Sequence, residues 1–110
     1  GKYRGNFDAD GSFVHCGFRP AWILVKKNTD DNWPIYDYKR DPTNPGDHRL
    51  FGDVNTVEGG VGQEHVDFLS NGFKWRRAKN PFNNSYADFL YMAFARRPGT
   101  TPFDTFPNAR

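Results

Sequence analysis

With 110 residues, one cysteine and 15 Lys and Arg against 13 Asp and Glu, the chain has the length for one domain and one core and cannot form an internal disulfide. Its net charge of +2 is too balanced to indicate a nucleic-acid or anionic-membrane partner. No apolar run approaches the roughly 18 residues of a membrane-spanning helix, so a soluble domain is expected. The opening Gly1-Lys2-Tyr3-Arg4 does not read as a signal peptide, and a start at Gly rather than Met is expected of a processed or partial product.

Eleven Phe within an aromatic content of 17% mean that rings must fill much of the core. Lys2 to Asn6 reads as a short strand, followed by the polar loop Asn6-Phe7-Asp8-Ala9-Asp10-Gly11. Asn6, Asp8 and Asp10 alternate as in the opening of a calcium loop, which makes them the one calcium candidate in the chain. The closing position is Gly17 instead of a bidentate Glu, and no helix signal flanks the loop. A β-turn is therefore the expectation, and no metal is assigned. His15 and Cys16 are adjacent and face opposite ways on a strand, and His48 and His65 lie far along the chain, so no zinc spacing arises. Cys16 is expected to be a small buried apolar residue.

Gly17-Phe18-Arg19-Pro20 leads into the run Ala21 to Val25, closed by Lys26-Lys27 and the turn Thr29-Asp30-Asp31-Asn32. Five apolar residues between turn signals predict a strand covered on both faces. Trp33 to Tyr38 alternates, with Pro34 marking a strand start or an edge. A long polar loop, Asp41 to Val57, follows. Gly59-Gly60-Val61-Gly62, flanked by Glu58 and Glu64, lacks the strand-to-helix context of a phosphate-binding loop and reads as a hairpin connection.

His65 to Leu69 and Phe73 to Arg77 form a predicted hairpin, with Asn71-Gly72 supplying the two positive φ angles of a type I′ turn. Phe73 and Trp75 then point inward, Lys74 and Arg76 outward. Lys74, Arg76, Arg77 and Lys79 form a basic cluster, but with Trp75 buried they read as a solvated edge that resists aggregation. Helix is limited to a short turn around Asn83 to Ala87. Ala87 to Ala95 is a second apolar run, with Phe89, Tyr91 and Ala93 on one face and Leu90, Met92 and Phe94 on the other, which predicts a central strand buried on both sides. Three prolines, Pro98, Pro102 and Pro107, make residues 98–110 an extended tail beyond a domain of residues 1–97. Its Phe103 and Phe106 are expected to be tacked onto the domain or onto a neighbouring subunit.

Turn signals at roughly ten-residue intervals have the spacing of an all-β sandwich or barrel, and the fold expected is all-β, an antiparallel β-sandwich that is jelly-roll-like. The pattern assembles no catalytic set and implies no cofactor. Trp33, Tyr36, Tyr38 and Tyr86 lie near polar turns, and with Asp30 and Asp31 they are the ligand-binding candidates, since amphipathic rings beside carboxylates and amides stack on and hydrogen-bond to sugars. A polysaccharide-degrading enzyme is the alternative; it needs two acids across a cleft, with Glu64 and Asp67 as the residues to test.

The run from Gly17 to Lys27, then Trp33-Pro34-Ile35-Tyr36-Asp37, Val66 to Lys74 with its Asn-Gly turn, Tyr91-Met92-Ala93-Phe94-Ala95 and Pro107-Asn108-Ala109-Arg110 occur in this order. Together they resemble a small domain of uncharacterised function found in tail-fibre-like and other virion-associated proteins of bacteriophages, notably marine ones, often near concanavalin-A-like jelly-roll segments. The resemblance implies a non-enzymatic structural or adhesive module of a virion. It further implies homo-oligomeric assembly, as a trimer, beside other virion subunits, with a host surface polysaccharide as ligand; charge balance and hydropathy lead to the expectation of neither nucleic acid nor membrane as partner. A purely structural decoration protein is the remaining alternative. The family brings no catalytic residues to carry over.

Overall fold

The computed structural model describes residues 1–59 and 65–95. The strands are β1 (Lys2–Arg4), β2 (Phe13–His15), β3 (Pro20–Lys27), β4 (Pro34–Asp37), β5 (Leu50–Phe51), β6 (Val66–Leu69), β7 (Gly72–Trp75) and β8 (Asp88–Ala95), with one short helix, α1 (Asn80–Asn83), between β7 and β8. Two antiparallel sheets form, one ordered β1-β8-β3-β4-β5 and the other β2-β7-β6. The protein is an all-β sandwich. Among the described residues no helix is long and apolar enough to cross a membrane. The expected tail and the Gly-rich loop from Gly60 to Glu64 lie outside the described residues.

Alternation decides which side chains enter the core. In β4 the pattern puts Pro34 and Tyr36 inward, and in β6 and β7 it puts Val66, Phe68, Phe73 and Trp75 inward. Ile23 and Val25 of β3 and Phe89 of β8 join Pro34 and Tyr36 on the inner face of the larger sheet, opposite the β6 and β7 residues, and Phe82 of α1 closes one side. Trp75 stacks on Phe82 with ring centroids 4.4 Å apart, and Tyr3 stacks on Phe89 at 5.0 Å. Rings therefore take the place of Leu and Ile, as composition requires; truncating one such ring to Ala costs about 3–5 kcal/mol.

Three expectations are corrected. The hairpin turn is Ser70-Asn71, because Leu69 pairs with Gly72, and neither Asn71 nor Gly72 has a positive φ. Gly72 is required for a different reason: a Cβ there would lie 2.0 Å from the carbonyl oxygen of Val14, so only glycine lets β2 pair with β7. The helical turn comes earlier than expected, with Pro81 in its first turn and Lys79 as N-cap, a position where proline costs no hydrogen bond. Finally, β8 is buried on one face only. Phe89 is inside, but Leu90, Met92 and Phe94 are 56, 54 and 57% exposed. The outer side of β3 is likewise half-buried at Trp22 and Leu24, so neither apolar strand is covered on both faces among the described residues.

Polar side chains close the ends of the sandwich. The buried Asn83 accepts the Asn6 N–H and donates to the carbonyls of Asp8 and Arg77, which ties α1 to the first loop. Asn44 donates to the Phe68 carbonyl at 2.8 Å and accepts the Phe68 N–H at 2.9 Å. Its amide thus stands in for a neighbouring strand on the β6 edge, which would otherwise present unpaired backbone groups.

Candidate functional site

The loop between β3 and β4 is held from both sides. At its start Asn28 N–H donates to the Asp88 carbonyl. At its end the Trp33 N–H donates to Asp53 Oδ1 at 2.9 Å, while the Trp33 carbonyl accepts the Gly52 N–H at 2.8 Å. The Asn32 N–H is taken by Asp31 Oδ1, and Asp31 pairs with Lys27 across 3.8 Å. Lys26 Nζ lies 5.5 Å from the centre of the Trp33 ring, a cation–π distance that helps hold the indole in place.

Between these groups is an open cleft of about 560 Å³, lined by Lys26, Thr29, Asp30, Asp31, Asn32, Trp33 and Asp53. Trp33 is 36% exposed. Its lining combines an aromatic face with carboxylates, an amide, a hydroxyl and an ammonium. That set serves ligands with both apolar C–H faces and many hydroxyl groups. Asp31 and Asp53 each hold a backbone N–H, so they fix the loop as well as line it.

Three of the six expected ligand residues, Trp33, Asp30 and Asp31, come together here. Tyr36 does not: at 1% exposure it is a core residue, because it sits on the inward face of β4, and its ring is closed to any surface ligand. Its hydroxyl lies 3.0 Å from His65 Nδ1. Tyr38 follows the far end of β4 and donates its N–H to the Ala21 carbonyl. Tyr86 is 75% exposed, with φ +56° and the Arg4 guanidinium 5.8 Å from its ring, and it does not line the cleft. Lys26 and Asp53 were not anticipated. Alternation from the buried Val25 places Lys26 on the open face; Asp53 depends on the β4–β5 pairing, for which the sequence carries no signal.

The calcium candidates are occupied otherwise. Asn6 Oδ1 accepts the Asp8 N–H, and Asp8 Oδ1 accepts the Asp10 N–H, a run of Asx turns. Asp10 is bound to Lys74 at 2.6 Å, which holds its carboxyl below the usual range. Asp67, the acid named for the enzyme alternative, lies 3.7 Å from Arg76, and Glu64 is outside the described residues.

Two histidine environments contrast. His48 Nδ1 lies 3.2 Å from Asp41 and 2.9 Å from Asp47, and its bond to Asp41 raises its pKa above the ordinary value. These three side chains bring their ligand atoms within 4.8 Å of one another, yet Asp41 Oδ2 already accepts the backbone N–H groups of Asp47 and His48. His65 is fully buried, and desolvation, helped by the charge of Arg49, pulls its pKa down to about 3. Arg49 can only donate, so His65 Nε2, 3.2 Å from Arg49 Nη1, accepts, and the imidazole proton is assigned to Nδ1 facing Tyr36.

A family model described as a domain of unknown function, DUF7483, matches residues 1–98. The chain belongs to that family. In this DUF7483 domain the matched region contains the eight strands found among the described residues and the whole of the cleft. No curated protein and no solved structure matches the chain.

Proposed function

We propose that this DUF7483 domain is a non-enzymatic adhesive module of a bacteriophage virion protein, and that it binds a surface glycan in the cleft between β3 and β4. The observation that carries the reading is Trp33, a partly exposed indole clamped through its own backbone, lining the cleft with Asp30, Asp31 and Asn32. Sugars are bound by this combination of a stacking face with planar hydrogen-bonding groups. The resemblance of the strand segments to virion-associated domains supplies the setting, and the cleft supplies the chemistry. The carboxylates with defined contacts position the loop, which supports binding without turnover.

The test is titration of the full chain with purified bacterial surface polysaccharides, followed by calorimetry, whose signal does not depend on Trp33. Trp33→Ala is expected to weaken binding by about 2 kcal/mol, roughly thirtyfold, while leaving the melting temperature unchanged because the indole lies outside the core. Binding that is unaltered in this variant would refute the site. Release of reducing ends from the polysaccharide would instead favour the enzyme.

A further inference from the structure

The cleft carries three carboxylates, Asp30, Asp31 and Asp53, and one cation, Lys26. They differ in what they have left to offer a ligand. Asp31 is engaged through both oxygens, Oδ1 accepting the Asn32 N–H and Oδ2 facing Lys27 Nζ at 3.8 Å. Asp53 uses Oδ1 for the Trp33 N–H, and its Oδ2 has no partner among the described residues. Asp30 is exposed in the loop and makes neither a hydrogen bond nor an ion pair with any described residue.

The neighbouring cations are engaged or distant. Lys26 Nζ lies over the Trp33 ring and donates to the Lys27 carbonyl at 3.3 Å, and Lys27 is held by Asp31. Lys2 shares a row with Lys26, since the register runs from Lys2 through Leu90 to Lys26 across β1, β8 and β3. It stands two strands away, about 10 Å, on the side of β3 opposite β4 and β5, and at that separation dissolved ions screen most of its charge. Arg4 donates to the Tyr86 carbonyl and lies opposite Asp88 in the ladder. What the cleft presents without a partner is therefore anionic: both oxygens of Asp30 and one of Asp53.

Carboxylates can hold sugars through a shared metal ion or by direct contact. Among the described residues the acidic group whose ligand atoms converge to within 4.8 Å is Asp41, Asp47 and His48, on another loop, so the cleft carboxylates are placed for direct contact. A carboxylate accepts from any hydroxyl, but a hydrogen bond between two charged partners is about twice as strong as one between neutral groups. Resting on the assignment of the cleft to a glycan, we infer that this glycan carries an unsubstituted amino sugar. Its ring packs on Trp33 and its ammonium donates to Asp30, with Asp53 Oδ2 as the second acceptor. N-acetylation removes the charge and leaves one N–H donor, and a uronate or sulfate meets like charge. The chain's own net charge of +2 repels a polycation at long range, so the preference arises in the cleft and not from the molecule as a whole.

Isothermal titration calorimetry of the full chain at mildly acidic pH compares three oligosaccharides of matched length: a glucosamine oligomer, its N-acetylated counterpart and a uronate oligomer. The glucosamine oligomer is expected to bind about tenfold more tightly than the acetylated one, and the uronate oligomer most weakly. Asp30→Asn removes a charge without breaking any contact of the fold and should reduce that ratio to about threefold or less. Asp10→Asn removes the same charge where Asp10 meets Lys74 of the other sheet and should leave the ratio as in the wild type. Equal affinity for the first two oligomers, tightest binding of the uronate, or a ratio that Asp30→Asn does not lower more than Asp10→Asn overturns the amino-sugar inference, as does a glucosamine oligomer that does not bind. Trp33→Ala separates these results from failure of the cleft. Where it weakens binding of the acetylated oligomer, the glycan site stands without the preference; where no oligomer responds to it, both readings fall.

Discussion

His65 predicts a specific acid sensitivity. In the folded chain its pKa is about 3, because burial between Tyr36 and Phe82 and the nearby Arg49 charge disfavour the imidazolium. Unfolded, the same side chain titrates near 6.5. The unfolded state thus binds the extra proton first, and the stabilising effect of a neutral His65, complete above pH 6.5, is lost as pH falls from 6.5 towards 3. Each pH unit in this window removes up to about 1.4 kcal/mol. Between pH 6.5 and about pH 4.5 the integrated loss is about 2.3 kcal/mol, discounted to about 2 kcal/mol because Arg49 beside it is only half-buried and solvent screens part of the effect. That is a large part of the roughly 5–15 kcal/mol by which such domains are stable.

Urea unfolding at about pH 7 and about pH 4.5, on the wild type and on His65→Gln, isolates the effect. Glutamine keeps hydrogen-bonding capacity and does not titrate. The wild type should lose about 2 kcal/mol more than the variant over this interval. Parallel losses in the two proteins would show that His65 is not buried neutral, and the reasoning would fail. Histidine ring resonances give a second check: His65 should resist protonation well below the usual range, while His48, bonded to Asp41, should titrate above it.

Gly72→Ala should destabilise the domain by at least about 2 kcal/mol, since the new Cβ meets the Val14 carbonyl and β2 must shift; a melting temperature unchanged from wild type would refute the close approach. Asn83→Ala removes three hydrogen bonds inside the fold and should cost about 2–3 kcal/mol. Hydrogen exchange should then rise first in the loop from Asn6 to Asp10.

Strands and their inward residues were legible wherever alternation was regular. Pro34 marked the start of β4, and Phe73 and Trp75 fall inward as their spacing implies. The failures have physical causes. Asn71-Gly72 carries the local signature of a type I′ turn, but Gly72 answers to a strand that arrives from sixty residues earlier in the sequence, and local chemistry cannot report that. Apolar residues on both faces of β8 read as double burial because a sequence shows which faces repel water without showing whose surface covers them. Trp33, Asp30 and Asp31 were legible as a set because they are neighbours in the chain. Tyr36 was misplaced with them, although it lies three residues from Trp33 and alternation already assigns it to the opposite face. Asp53 enters only through a pairing made by a two-residue strand.

The long ladder between β3 and β8 has a consequence for how the chain comes to exist. Trp22 and Phe94 are partners, separated by roughly seventy residues, so the central seam of the larger sheet is a late, long-range contact whose loop-closure entropy must be met before it stabilises anything. During synthesis the segment from Ala21 to Val25 leaves the ribosome without its partner and waits for nearly the whole domain to follow. Until Ala95 emerges, its apolar residues have no native ladder on that side. A product truncated anywhere before β8 should therefore aggregate instead of folding in part.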